Sequence, residues 1–126
     1  MKHILALDLG TTNVRAVLFD EAMRPVSTDE MEINVFYPKS GWVGQDPVEM
    51  ITKQLQVAKR VVDKSGVAEA SIAGIGVTNQ RETTILWNRD TGRPIGNAIV
   101  WQDRRTATIC EKVSKTGHAQ LIYNST

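Results

Sequence analysis

The chain has 126 residues, of which 41% are hydrophobic, enough for one domain with its own core and too few for two. Fifteen Lys and Arg against 14 Asp and Glu leave a formal net charge of +1, which argues against nucleic-acid or anionic-membrane binding. The single cysteine, Cys110, excludes an internal disulfide and a multi-cysteine metal site. The first apolar run, residues 4–7, stops at Asp8 and is too short for a signal core or a membrane span. We therefore expect a soluble cytoplasmic domain.

Three strands are predicted at the start of the chain. Residues 4–7 form an apolar run of the length typical of a buried strand, and residues 14–19 form a second one. Between them, residues 8–13 are small, polar and glycine-containing, as expected of a turn. Residues 26–37 alternate irregularly after Pro25 and predict a third, more exposed strand. The pattern indicates a three-stranded meander.

A helix is predicted after the meander. Asp46 suits its N-cap, Pro47 its first position, and Glu49 completes a capping box. Gly66 supplies a stop signal. Four apolar residues at helical spacing predict its inward face: Ile51, Leu55, Ala58 and Val62.

The second half of the chain predicts two strand regions and a second helix. Residues 72–78 are typical of a buried strand, and residues 83–87 and 97–101 flank a turn-rich segment as a hairpin or neighbouring strands. Residues 104–116 predict a helix with Cys110 on its apolar face, which favours a buried structural thiol over a nucleophile. The order of elements indicates an α/β domain with a mixed sheet.

The turn between the first two strands is a candidate phosphate site. Gly10 permits close backbone approach, so that successive N–H groups can converge on phosphate oxygens, and Asp8 is placed to hold a hydrated Mg²⁺. The same residue types also favour an ordinary hairpin turn, and Arg15 also fits a solvated strand position. The candidate phosphate ligands are Thr11, Thr12, Asn13 and Arg15.

Arg81 and Glu82 form a second candidate site after the buried strand. Guanidinium donors and a carboxylate acceptor together suit a vicinal diol, whose hydroxyls both donate and accept hydrogen bonds. Adjacent residues of a regular strand face opposite ways, so both side chains reach one ligand only if the chain turns here. The alternative is a surface ion pair or two unrelated solvated charges.

Tryptophans mark two further positions. Trp101 ends a predicted strand and is either a core residue or an apolar wall against the carbons of a polyol. Asp103 is expected to cap the helix that follows. Trp42 lies in a glycine-flanked loop, where packing is favoured over ligand contact.

Four segments, taken together and in this order, resemble the glycerol kinases of the FGGY carbohydrate kinase family: residues 8–12, 41–47, 78–84 and 97–106. The resemblance covers the chain from about residue 5 to residue 117, and the motif at residues 79–84 is the most particular to glycerol kinases. It implies the actin/hexokinase-like, or ribonuclease H-like, ATPase fold. It also implies that residues 1–126 are the N-terminal segment of a longer kinase, with the rest of that domain and a second lobe absent.

The resemblance further implies ATP-dependent phosphorylation of glycerol to glycerol 3-phosphate by the parent protein, with ATP and Mg²⁺. By it, Asp8 organises Mg²⁺, Arg81 and Glu82 bind glycerol hydroxyls, and Trp101 lies beside the glycerol carbons. The catalytic base is expected beyond Thr126, so the isolated segment is expected to be inactive. The residues implied to contact the ATP phosphates are Thr11, Thr12, Asn13 and Arg15.

Two departures from the glycerol kinase pattern, Leu9 and Asp103, motivate an alternative: an FGGY kinase for another polyol or a ketose such as xylulose. A separate alternative is a non-catalytic domain that binds polyol or phosphate, or associates with another chain. The expected partners are glycerol and the remainder of the kinase chain, with no nucleic acid and no membrane, and an oligomer is possible.

Overall fold

A computed structural model of the chain describes residues 1–125. It contains six strands and three α-helices in these residues. The strands are β1 (His3–Leu9), β2 (Asn13–Phe19), β3 (Pro25–Glu32), β4 (Gly44–Gln45), β5 (Ile72–Thr78) and β6 (Ala98–Ile99). The helices are α1 (Pro47–Ser65), α2 (Ala107–Lys115) and α3 (His118–Ser125), and a short 3₁₀ turn, Glu69–Ser71, precedes β5.

The main sheet has the strand order β3-β2-β1-β5. Strands β1, β2 and β3 form the predicted antiparallel meander, and β5 joins β1 in parallel after the chain crosses over through α1. The predicted mixed sheet is therefore confirmed. Strand β3 ends earlier than predicted, at Glu32, because Ile33 turns inward, is buried, and donates its backbone N–H to the Thr12 carbonyl.

The core lies between α1 and the sheet. Each of its larger side chains, once buried, contributes on the order of 2 kcal/mol through loss of apolar contact with water. The buried apolar residues of this cluster are Leu5, Val14, Ala16, Leu18, Ile33, Met50, Val57, Val61 and Ala98.

Helix α1 begins and ends where the sequence predicts, but its buried face is rotated. Asp46 accepts a hydrogen bond from Val48 N, and Gly66 adopts a left-handed φ of 65° at the end. The Glu49 half of the capping box is wrong, since its carboxylate accepts from Asn34 instead. The predicted inward face is correct only in part: Ala58 and Val62 pack, partly buried, against the core, whereas Ile51 and Leu55 are exposed. The buried residues of α1 are Met50, Gln54, Val57 and Val61.

The hairpin of residues 83–101 is confirmed as a pair of hydrogen-bonded segments. Thr84 and Ile99 exchange both backbone hydrogen bonds, at 2.9 Å each. On its other side, β6 pairs antiparallel with β4, with Gly44 opposite Ile99. These pairings hold the loop before α1 against the hairpin.

Two predictions of burial are wrong in the described part of the chain. Among the described residues β5 is an edge strand, and its Ile75 and Val77 are 62% and 73% exposed. Cys110 is exposed: α2 contacts α3, but neither helix has a buried residue. Helix α3 itself was not predicted. None of the helices within residues 1–125 is long and apolar enough to cross a membrane.

Candidate active site

The turn after β1 is held closed by its own backbone. Gly10 N donates to Asn13 O at 3.0 Å, and a Cβ on Gly10 would lie 2.8 Å from that same oxygen. Side chains essentially never approach backbone so closely, so the turn in this form requires glycine. The turn brings the backbone of residues 10–13 to the carboxyl end of β1.

The segment after β5 reaches the same edge of the sheet. Because β1 and β5 are parallel, with Asp8 opposite Thr78, the residues that follow each strand emerge side by side. Glu82 has a φ of 62°, in the left-handed region that non-glycine residues seldom occupy. The chain therefore turns at Glu82, which is the condition under which Arg81 and Glu82 can serve one ligand.

A cleft of about 400 Å³ lies between these two segments. It joins the predicted magnesium ligand and one predicted phosphate ligand to all three predicted polyol ligands. A guanidinium, two carboxylates, a hydroxyl and an indole thus share one solvent-accessible cleft, which suits a small molecule rich in hydroxyls. The cleft is lined by Asp8, Leu9, Gly10, Thr11, Asn79, Gln80, Arg81, Glu82 and Trp101.

Trp101 connects the two halves of the cleft. Its indole Nε1 donates to the Thr11 hydroxyl at 2.9 Å, and its backbone N donates to the Thr83 hydroxyl at 3.2 Å. Trp101 is 54% exposed, so the interpretation of Trp101 as a core residue is wrong. An exposed indole fixed through its polar edge leaves its apolar surface available to a ligand in the cleft.

The other predicted phosphate ligands lie outside this cleft. Thr12 and Asn13 line a separate hollow beside β3. Arg15 forms an ion pair with Glu30 on the neighbouring strand, Nη2 to Oε2 at 2.9 Å, and Asn13 Nδ2 contacts the same oxygen at 3.3 Å. The structure therefore brings Thr11 to the predicted polyol ligands and places Thr12, Asn13 and Arg15 on the β3 side.

The prediction that Asp103 caps α2 is wrong. Its carboxylate accepts from the backbone N–H and the guanidinium of Arg105, and from Val43 N at 2.7 Å, so α2 starts later, at Ala107. The hydrogen bonds from the Arg105 side chain, and then from both backbone N–H groups, hold the pKa of Asp103 well below its usual range. Trp42 packs as predicted, with the Arg105 guanidinium 3.8 Å from its ring centroid.

Two buried glutamines beside the cleft carried no assigned role in the sequence interpretation. Gln45 is fully buried and Gln80 is 7% exposed. Gln80 Nε2 donates to Gly10 O at 2.8 Å, so it fixes the turn of residues 10–13 directly. The sequence signal by which Gln80 could have been found is its place between a strand end and the Arg81–Glu82 pair. A glutamine flanked by Gly44 and Asp46 carries no such signal for Gln45.

Asp8 fits the predicted magnesium role through its chemistry and position. Its carboxylate is exposed at the mouth of the cleft, beside Thr11, where a hydrated Mg²⁺ carried by phosphates could be bound through one protein oxygen. Residues 1–125 contain no group of three or more His, Cys, Asp or Glu side chains that could form a metal cage.

Comparison with known families identifies the family to which the chain belongs. Residues 3–126 match the N-terminal domain of the FGGY family of carbohydrate kinases. The chain belongs to the FGGY carbohydrate kinase family. Its fold is accordingly the predicted actin/hexokinase-like ATPase fold, represented by part of an N-terminal domain.

Three FGGY relatives illustrate the match. Glycerol kinase 2 of Thermotoga maritima is 48% identical over 126 residues, which are the whole of this chain and 25% of that protein. The structure of Plasmodium falciparum glycerol kinase with ADP is 33% identical, with a TM-score of 0.81 over 92% of this chain and 23% of that one.

The third relative is a xylulose kinase. The ligand-bound enzyme of Lactobacillus acidophilus has a TM-score of 0.88 at 25% identity, over 98% of this chain and 24% of that one. The chain thus spans about a quarter of the length of the FGGY kinases it matches.

Proposed function

We propose that this chain forms the N-terminal part of a longer kinase that transfers the γ-phosphoryl group of ATP to a terminal hydroxyl of glycerol. The observation that carries the proposal is the cleft itself, where Asp8 and Thr11 of the phosphate turn lie beside Arg81, Glu82 and Trp101. A phosphoryl donor bound at Asp8 and Thr11 would therefore lie next to a polyol bound at Arg81, Glu82 and Trp101. The names of the 48% identical relatives support glycerol as the acceptor.

The polyol half of the cleft binds and orients the acceptor. Arg81 donates to two oxygens and Glu82 accepts from hydroxyls, so a vicinal diol is held through both of its oxygens and presents a defined third hydroxyl. The Trp101 ring covers the carbon chain. Holding the acceptor in this way converts a bimolecular encounter into an oriented one, which is the main source of rate in phosphoryl transfer.

The phosphate half of the cleft positions the donor. The glycine turn presents backbone N–H groups, and the Thr11 hydroxyl can donate because its oxygen already accepts from Trp101. When bound at Asp8, Mg²⁺ neutralises charge on the transferring phosphates. The proposal places the base that accepts the hydroxyl proton, and the adenosine pocket, outside residues 1–126.

A second candidate substrate is a ketose such as xylulose. The close fold match to a xylulose kinase favours it, as does Asp103, which resembles the sugar kinases more than the glycerol kinases. A longer acceptor would use the same diol contacts.

A coupled assay of the full-length kinase against glycerol, erythritol, xylulose and gluconate tests the proposal. We expect the highest kcat/KM with glycerol. A preference for xylulose would replace glycerol with the second candidate. Absence of phosphorylation with every acceptor would favour a binding or interaction domain. The isolated 126-residue chain is expected to give no glycerol-dependent transfer, and turnover by it would contradict a site completed by further chain.

A further inference from the structure

A closed ring of hydrogen bonds lies beneath the cleft. Trp101 N donates to Thr83 Oγ1 at 3.2 Å, and Thr83 Oγ1 donates to Gln80 Oε1 at 3.0 Å. Gln80 Nε2 donates to Gln45 Oε1 at 2.8 Å, and Gln45 Nε2 donates to Thr11 O. Trp101 Nε1 closes the ring on the Thr11 hydroxyl at 2.9 Å. The ring joins residues as far as 90 positions apart.

The two amides of the ring are buried. Gln45 is 0% exposed and Gln80 is 7% exposed. A buried amide that loses its partner retains the full cost of its desolvation, so each member of the ring strongly constrains the next. Gln80 has little freedom to move, because its Nε2 also donates to Gly10 O and its Oε1 accepts from Thr83.

Two donor paths run from Trp101 to Thr11: one directly from the indole Nε1, and one from the backbone N through Thr83, Gln80 and Gln45. Each side-chain member between Trp101 and the Thr11 carbonyl both accepts one bond and donates the next, which fixes the orientation of both amide groups and of the Thr83 hydroxyl. At Thr11 the hydroxyl oxygen accepts from the indole. Its own proton is thereby left as a donor that can face the cleft.

We propose that Gln45, Gln80 and Thr83 are positioning residues that lock Thr11 and Trp101 into one geometry, so that the phosphate half and the polyol half of the cleft are held at a fixed separation. This inference rests on the proposed kinase function. None of the three needs to touch a substrate. Their effect on transfer is exerted through the positions of Thr11 and Trp101.

A matched pair of substitutions at Thr83 tests the ring with little change in volume. Thr83→Val removes the hydroxyl that links Trp101 N to Gln80, while Thr83→Ser keeps it. In the full-length kinase we expect Thr83→Val to lower kcat by roughly 10-fold, since a displacement of about 1 Å in an aligned site can cost more than that. Thr83→Ser should restore wild-type kcat.

A second pair separates positioning from stability. Gln80→Met and Gln54→Met each remove a buried amide that donates to a backbone carbonyl, but Gln54 bonds to Arg15 O on β2, away from the ring. Both variants are expected to lower the midpoint of urea unfolding. Only Gln80→Met should also lower kcat.

The indole ¹⁵N–¹H resonance of Trp101, assigned by its loss in Trp101→Phe, provides a readout independent of activity. Thr83→Val and Gln80→Met should shift it, whereas Thr83→Ser and Gln54→Met should not. An unshifted resonance in Thr83→Val, or a shifted resonance with unchanged kcat, would overturn the positioning role. If the wild-type kinase phosphorylates no acceptor, the proposed function fails, and the resonance alone then decides whether the ring holds Trp101.

Discussion

The carboxylate of Asp103 accepts a 2.7 Å hydrogen bond from the backbone N–H of Val43, 60 positions earlier in the chain. The same carboxylate forms an ion pair with Arg105, whose guanidinium stacks on Trp42. The loop before α1 is thus fastened to the segment that follows Trp101. Ionised Asp103 is the centre of this contact, because both oxygens act as acceptors.

Asp103 is expected to contribute to the acid dependence of stability. Its pKa is lowered in the folded protein, so its contribution is complete above the unfolded pKa of about 4 and is lost as pH falls through the folded value. Urea unfolding should show a large difference between wild type and Asp103→Asn at pH 6 and a smaller one at pH 2. Asp90→Asn, in the exposed hairpin turn, is the control and should show little difference at either pH. An Asp103→Asn difference that grows as the pH falls would contradict the lowered pKa.

Gly10→Ala is expected to open the phosphate turn. The added methyl group meets the Asn13 carbonyl, so the backbone must move and Thr11 with it. In the full-length kinase, kcat/KM for ATP should fall by about 10- to 100-fold. Gly96→Ala is the matched control, since no heavy atom in the described part of the chain lies within 4 Å of its added Cβ. Equal kinetics for the two variants would show that the turn tolerates a side chain.

Arg81→Ala is expected to impair use of the acceptor more than use of ATP. It removes charged donors from the polyol half of the cleft, at a cost of roughly 10- to 100-fold in kcat/KM for glycerol. Arg89→Ala removes an exposed arginine in the nearby hairpin turn and should have no such effect. A rise in the KM for ATP alone would place Arg81 on the phosphates instead.

Glu82→Gly is expected to separate stability from function. Relief of the left-handed backbone should raise the free energy of unfolding by up to about 1 kcal/mol, while loss of the carboxylate abolishes most glycerol phosphorylation. Met23→Gly is a matched control, because Met23 also has a positive φ, of 59°, and lies in the exposed turn before β3. It should gain similar stability and keep full activity. An unstable but active Glu82→Gly protein would contradict both roles of Glu82.

Local sequence patterns predicted the helices and strands of this fold better than they predicted which side chains are buried. The two ends of α1, at Asp46 and Gly66, were predicted correctly because helix capping depends on residues that are close in sequence. Apolar spacing could not predict that Gln54 belongs to the buried face of α1. That amide is buried with a bond to the Arg15 carbonyl, a partner that no local pattern identifies.

The candidate site was predictable to the extent that its chemistry is carried by charged or ring side chains. Arg81, Glu82 and Trp101 stand out in the sequence for that reason, and the cleft contains all three. Gln45 does not, because its role is set by contacts across the fold. Asp103 was assigned to the wrong partner. The backbone N–H of Val43 donates to its carboxylate as well as a helix N-terminus would, and the sequence does not show that these two residues are in contact.

The parallel pairing of β1 with β5 has a consequence for how the protein folds. Strands β1, β2 and β3 contact their neighbours in sequence, whereas β5 reaches β1 only after α1 has formed the crossover. Closing the long loop between β1 and β5 costs more chain entropy than forming the meander, so we expect the cleft to assemble after the meander. Any ligand that bridges Thr11 and Arg81 binds only the assembled state and thereby draws the folding equilibrium towards it.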